Sequence, residues 1–116
     1  MKIRVKRGEI YMADLDPVIG SEQGSVRPVL IVQNDKGNEY SPTTVVLPLT
    51  TKIHKSEAMP THTILKDIEG LNEKSASMAE QIRTIDKGRL KEYIGYVPRI
   101  IMDTAIRRTI KTELAI

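Results

Sequence analysis

Few side chains in this sequence could do chemistry. There is no cysteine, which excludes disulfides, thiolate metal sites and a thiolate nucleophile together. No Gly-Lys-Ser phosphate loop, HExxH pair or nucleophile elbow occurs. The two histidines, His54 and His62, are the residue type best matched to acid–base work near neutral pH, and such a pair could cleave RNA. Both lie in or beside a polar stretch, where an imidazole is more often solvated than catalytic. Asp14 and Asp16 stand two apart, while Glu22, Asp35 and Glu39 fall in turn-rich segments with no recurring ligand spacing. They read as solvated carboxylates, and no metal or other cofactor is expected.

The remaining candidate is the stretch GSEQGSVRP, residues 20–28. Gly20 and Gly24 would let its backbone approach a ligand closely or move as a lid. Arg27 stands where this loop meets a β-branched run. Held there by a rigid element, its guanidinium fork suits a phosphate. A structural ion pair for Arg27, with glycines that only serve turns, fits the same residues.

The elements that must position Arg27 are short strands. Residues 9–14 (EIYMAD) alternate as a half-buried strand, with Ile10 and Met12 on one side and Tyr11 and Ala13 on the other. Residues 16–26 carry Pro17, Gly20 and Gly24 and form a long loop closing a hairpin. Residues 28–32 (PVLIV) predict a strand covered on both faces, and residues 34–43 a turn. Residues 44–50 (TVVLPLT) are the next strand, with Pro48 placing its end at a sheet edge or bulge. A polar loop over residues 51–60 precedes a strand at 61–65, and residues 75–80 and 91–97 are weaker strands. Asp86 can cap a helical turn ending near Arg89. After Pro98, Met102, Ile106, Ile110 and Leu114 recur every four residues, which predicts a helix with Asp103 and Arg107 spaced to pair. Together these elements predict a mainly β fold, a bent barrel with a C-terminal helix, as one domain over residues 1–116.

Composition sets the outer limits. The 116 residues are 40% hydrophobic, with four Tyr and neither Phe nor Trp, so the core must be built from Ile, Leu, Val and Met. So small a core would gain from pairing with a second copy. A net charge of +3 and a pI near 9.2 permit a polyanionic partner without requiring one. Lys2, Arg4, Lys6 and Arg7 lead into a mixed segment rather than an apolar signal core, and no apolar run is long enough for a membrane span. A soluble cytoplasmic protein is expected.

Five segments in order carry a resemblance: KRGEIYMADLDP (6–17), GSEQGSVRPVLIVQND (20–35), SPTTVVLPLT (41–50), MPTH (59–62) and EQIRTIDKGRL (80–90). In these the chain resembles the MazF/PemK family of toxins, from residue 6 to about residue 90. The resemblance implies an SH3-like β-barrel with a C-terminal helix, assembled as a homodimer. It implies a toxin of a type II toxin–antitoxin system that cuts single-stranded RNA, mRNA especially, and so arrests translation and growth. A MazE-like antitoxin with an acidic, partly disordered C-terminal segment would inhibit it.

Residue by residue, the resemblance puts the catalytic arginine on Arg27 and the catalytic threonine on Thr50. Ser21, Glu22 and Gln23 match the part of the loop that closes over RNA, and Gln81 lies near the family's RNA contacts. Arg83 reads as structural, and His62 receives no catalytic role. Glu22 could reach the 2′-hydroxyl as a base, and Tyr40 or Tyr11 could stack a nucleobase. Ser25 stands where many relatives carry a second glycine. The same barrel also occurs in toxins that poison a protein such as gyrase, and a non-catalytic RNA- or peptide-binding barrel is a further alternative.

Overall fold

A computed structural model describes residues 4–116. Seven strands form one antiparallel sheet: β1 (Glu9–Asp14), β2 (Val26–Ile31), β3 (Thr43–Thr50), β4 (His62–Leu65), β5 (Ser75–Met78), β6 (Arg83–Asp86) and β7 (Leu90–Tyr96). Hydrogen-bonded neighbours run β4-β5-β3-β2-β1-β7, with β6 also lying on β3. β3 is the pivot. One side carries β2, and the other carries β6 from Thr43 to Val46 and then β5 at Leu49 and Thr50.

The barrel follows from the connection between β6 and β7. These strands lie at opposite ends of the path β6-β3-β2-β1-β7, yet only a 3₁₀ turn, Lys87–Arg89, joins them. Three residues span at most about 10 Å, so the sheet has curled until its ends meet. They meet through the turn, not through ladder hydrogen bonds. Tyr11, Ala13, Val29, Ile31, Val46, Ile85 and Leu90 fill the inside and are all buried.

The other face of the same strands carries a second core. Ile10, Leu30 and Leu47 pack with Leu65 of β4 and with Met102 and Ile106 of the C-terminal helix. Burying each such side chain contributes about 1.5–3 kcal/mol relative to exposure. The strand of residues 9–14 is therefore not half-buried: Ile10 lies under the helix, Tyr11 in the barrel, and both are covered. Gly70, and Gly95 of β7, let the backbone at residues 69–70 lie directly against that strand. Gly70 has φ +94°, and a Cβ there would stand 1.9 Å from the Ile94 carbonyl oxygen, while one on Gly95 would stand 2.1 Å from that of Glu69.

Several expectations needed correction. Residues 34–43 contain a helix, α1 (Asp35–Tyr40), whose N-cap Asn34 accepts from the Gly37 amide at 2.8 Å. Gly37 and Asn38 are poor helix formers, but Asn38 is buried and bonded to Gln33 and Thr44, which holds the turn in place. Pro48 is not at an edge. It pairs with Val29 of β2, and the Val45 carbonyl accepts from Val32 on that same side. By alternation, the N–H that proline lacks faces the opposite side, in the gap where β3 changes partner from β6 to β5. β6, with a single buried side chain, carries no strand signal in its sequence.

The 51–60 loop holds a 3₁₀ turn, Ile53–Ala58. The C-terminal segment comprises α2 (Arg99–Ile101), a π-helical turn (Met102–Ile106) and α3 (Arg107–Leu114). The wide turn shifts the helix phase, so Asp103 pairs with Arg99 at 3.4 Å and Arg7 at 3.9 Å rather than with Arg107. Leu114, expected on the buried stripe, is exposed. The turn at Asp86 is as expected, its carboxylate accepting from the Gly88 amide at 2.7 Å.

Candidate functional site

Arg27 enters β2 one residue after the loop ends, opposite Ala13 of β1. Its Nε donates to the Gly24 carbonyl at 2.9 Å and its Nη1 to the Leu49 carbonyl at 3.2 Å. No carboxylate pairs with it among the described residues, so the structural ion pair is not what holds it. With its amide oxygen turned to the guanidinium, Gln23 accepts from Nη1 at 3.1 Å and Nη2 at 2.6 Å. Burial lowers the Arg27 pKa below the ordinary arginine value, yet a guanidinium stays protonated near neutrality. The result is a fixed cation, half-buried, with its fork set by two backbone carbonyls.

Thr50 ends β3 and follows the residue that anchors Arg27. Its Oγ1 accepts from the Lys52 amide at 3.1 Å, which leaves the hydroxyl proton free to donate outward. Gln81 ends the 3₁₀ turn Ala79–Gln81, and its Oε1 accepts from the Gln23 amide at 3.0 Å. Arg27, Gln23 and Gln81 thus form one contiguous network, with Thr50 joined to it through the Leu49 backbone.

Ser21 and Glu22 lie apart from this network. Glu22 is exposed, and its carboxylate accepts from the Ile19 amide at 2.6 Å, while its own amide donates to the Ile19 carbonyl at 3.2 Å. Both residues shape the loop tip, where Gly20 takes φ +58°. Ser25 takes φ +68°, a left-handed conformation that favours glycine, and its amide donates to Asp16 Oδ1 at 3.0 Å. The loop's base is held by two more arginines. Arg83 donates to the Leu15 carbonyl at 3.1 Å, and Arg89 to the carbonyls of Asp14 and Asp16. The structural role expected for Arg83 is what its contacts show, whereas Arg89 and Asp16 gave no sequence signal beyond their charge.

The histidines do not form an acid–base pair. His54 is exposed on the Ile53–Ala58 turn. His62 is spent on both ring nitrogens, with Ser56 Oγ at 2.9 Å from Nδ1 and Glu80 Oε2 at 2.7 Å from Nε2. Burial alone would raise the Glu80 carboxyl, but hydrogen bonds from His62 and Thr61 outweigh it and hold the pKa below its ordinary value. Tyr11 cannot stack a base: it is buried, and burial beside Glu9 pushes its pKa up to about 12. Tyr40 is exposed at the end of α1. Among the described residues, no three His, Cys, Asp or Glu side chains gather as a metal site.

None of the six candidate residues lines the concavity of about 670 Å³ between Val5 and Tyr40. Gln23, Arg27, Thr50 and Gln81 are each partly exposed. No helix among the described residues is long and apolar enough to cross a membrane.

With this geometry in place, comparison with known proteins is direct. Over 94 residues, 80% of this chain and 78% of the relative, the sequence is 52% identical to Endoribonuclease MazF of Staphylococcus saprophyticus. A mycobacterial endoribonuclease solved in complex with its cognate antitoxin superposes with a TM-score of 0.79 at 27% identity, covering 97% of this chain and 96% of that one. MazF of Deinococcus radiodurans shares the fold, with a TM-score of 0.83 at 20% identity over 98% of this chain and 99% of its own. The family model of PemK-like, MazF-like toxins of type II toxin–antitoxin systems matches residues 6–113, and the chain belongs to that family.

Proposed function

We propose that this chain is the toxin's catalytic unit, one domain that cleaves single-stranded RNA, mRNA above all, without a metal ion. The ribose 2′-oxygen attacks the adjacent phosphorus, its proton is lost, and the 5′-oxygen leaves with a proton. A 2′,3′-cyclic phosphate and a 5′-hydroxyl result. RNA brings its own nucleophile, so DNA is not cut. The observation that carries this reading is that Arg27 is anchored on the backbone carbonyl immediately before Thr50. A fixed guanidinium and an outward hydroxyl there can hold two oxygens of one phosphate.

Arg27 neutralises charge building on the phosphorane oxygens and protonates the leaving oxygen, since a guanidinium gives a proton more readily than it takes one. Thr50 holds a phosphate oxygen through its hydroxyl. Ser21, Glu22, Gln23 and Gln81 contact the strand on either side, and Gln23 exchanges its bond to Arg27 for one to RNA. The 52% identity to a protein named an endoribonuclease supports this reading over the protein-poisoning alternative.

The toxin works in the cytoplasm as a homodimer, and its antitoxin lays an acidic, partly disordered segment across the dimer. Support comes from the mycobacterial relative solved with its cognate antitoxin and from this chain's net charge of +3.

The test is incubation with a long single-stranded RNA in excess EDTA, beside Arg27→Ala and Thr50→Ala, with the cut ends mapped. Cuts at one short repeated sequence, ending in cyclic phosphate and absent in both variants, are expected. Folded variants that cut like wild type would remove Arg27 and Thr50 from the mechanism. Intact RNA together with growth arrest in cells would favour a protein target.

A further inference from the structure

Outside the Arg27 network, one cluster of titratable and hydroxyl side chains joins Ser56, Thr61, His62 and Glu80. Ser56 Oγ lies 2.9 Å from His62 Nδ1, and His62 Nε2 lies 2.7 Å from Glu80 Oε2. That order of groups matches a hydrolytic triad. Ser56, however, is 2% exposed and out of reach of any substrate. What the cluster does is grip a turn. The Ala79 amide donates to the Thr61 carbonyl at 2.9 Å, Thr61 Oγ1 donates to Glu80 Oε1 at 2.7 Å, and His62 takes the other carboxylate oxygen.

The gripped turn, Ala79–Gln81, has no side-chain N-cap of its own. A three-residue 3₁₀ turn has little internal hydrogen bonding to fix its direction, so the carboxylate of Glu80 does so. The next residue, Gln81, accepts from the Gln23 amide at 3.0 Å, and the Gln23 side chain meets the Arg27 guanidinium at 2.6 Å. An unbroken line of contacts therefore runs from the Glu80 carboxylate to Arg27.

We propose that Glu80 and His62 are positioning residues for RNA cleavage: they fix the Ala79–Gln81 turn so that Gln81 holds the loop at Gln23 over Arg27. This rests on the ribonuclease reading above. Neither residue touches the substrate. Each acts through the Gln81 amide, and the short line of contacts makes small displacements costly, because catalysis is sensitive to about 1 Å of misplacement.

The experiment measures kcat and KM on an RNA oligonucleotide for Glu80→Ala, Gln81→Ala and the double variant. Thermal melts run alongside, and amide hydrogen exchange at Gln23 is read by NMR. Glu80→Ala is expected to melt above the assay temperature, to lose roughly 10- to 100-fold in kcat/KM, and to exchange faster at Gln23. The double variant should lose no more than the poorer single variant, because both changes break one line of contacts. Glu80→Gln, which keeps an acceptor for Thr61, should recover most of the activity.

Losses that multiply in the double variant would overturn the proposal, as would a Gln23 amide indifferent to Glu80 or wild-type kcat/KM in a folded Glu80→Ala. Should Glu80→Ala not fold, His62→Gln, which leaves Thr61 on the carboxylate, carries the same measurements. A wild-type protein that never cuts RNA would sink the ribonuclease reading alone, since the exchange at Gln23 reports the grip without substrate.

Discussion

Arg27→Lys separates charge from geometry. Both side chains carry one positive charge, so electrostatic attraction to an RNA strand survives, and KM with its salt dependence should change little. What lysine cannot reproduce is the fork. Arg27 places Nε on the Gly24 carbonyl at 2.9 Å and Nη1 on the Leu49 carbonyl at 3.2 Å, and keeps Nη2 for the Gln23 side chain, at 2.6 Å, or for a phosphate that takes its place. A lysine ammonium is one atom on a flexible stem and can serve one of those anchors or a phosphate, not all three.

The lost transition-state donor should cost about 3–4 kcal/mol, a fall of roughly 10²–10³ in kcat. The orphaned carbonyls add a smaller folding cost. A hydrogen bond to a charged group contributes about 1.5–3 kcal/mol when desolvated, but Arg27 is only half-buried, so about 1 kcal/mol is the reasonable figure. That lowers the melting temperature by about 4 °C. Initial rates on a fluorophore-quencher RNA in excess EDTA, beside a thermal melt, test both numbers. A lysine variant within about threefold of wild-type kcat would show that a point charge suffices and that the anchored fork is irrelevant to the chemistry.

Thr50→Val should lower kcat roughly 10- to 100-fold, the worth of one hydrogen bond to a charged oxygen, while Thr50→Ser stays within a few-fold; equal losses in both would deny the hydroxyl a role. Gly95→Ala drives a methyl to 2.1 Å from the Glu69 carbonyl oxygen and should cost about 3 kcal/mol, read as a drop in denaturation midpoint; an unchanged midpoint would mean that β7 is not pressed against that loop. At Ser25, with φ +68°, valine should destabilise by about 1–2 kcal/mol and glycine should not, and identical melts for the two would remove the strain. Glu80 has a depressed carboxyl pKa in the fold, so its stability advantage over Glu80→Gln should be full above the unfolded value of about 4.3. The advantage should vanish as pH falls through the lower folded value; melts from neutral pH to pH 3 that keep a constant gap would contradict the assignment.

Which parts of this molecule the sequence showed follows from how local their causes are. Strands β1, β2 and β3 were legible because alternation and β-branched runs are properties of the residues themselves. Their neighbours were harder. β6 reads RTID, four residues with one buried side chain, and it is a strand only because β3 offers an unpaired edge along Thr43–Val46. Pro48 reads as marking an edge or a bulge because nothing in the chain near it reveals that β3 changes partner there. The helix at Asp35–Tyr40 goes against propensity and depends on the buried bonds of Asn38. At the site, Arg27 and Thr50 came from a motif match, and spacing alone could not have paired residues 23 positions apart. The clamp of Ser56, Thr61, His62 and Glu80 was invisible for the same reason, since His62 and Glu80 meet only after β4 and β5 pair.

The arginines explain how so broken a loop can hold a site. Residues between β1 and β2 have no ladder partner over most of their length, and of their carbonyls those of Ile19 and Ser25 accept from backbone amides, of Glu22 and Leu15. Arg83 and Arg89 donate to the carbonyls at 14–16, and Arg27 donates to Gly24 at the other end. Three fixed cations therefore hold the carbonyls at the two ends of one loop, and β2, β6 and the Lys87–Arg89 turn that carry them belong to the barrel wall. Loop geometry is thereby tied to the barrel rather than to the loop's own sequence. Only Arg27 differs, because its fork also reaches β3, beside Thr50. The same side chain that closes the loop thus keeps one donor, Nη2, on the exchangeable Gln23 side chain rather than on a backbone carbonyl. A phosphate arriving there meets a charge whose orientation was fixed during folding, which is the condition under which a single donor is worth several kcal/mol in a transition state.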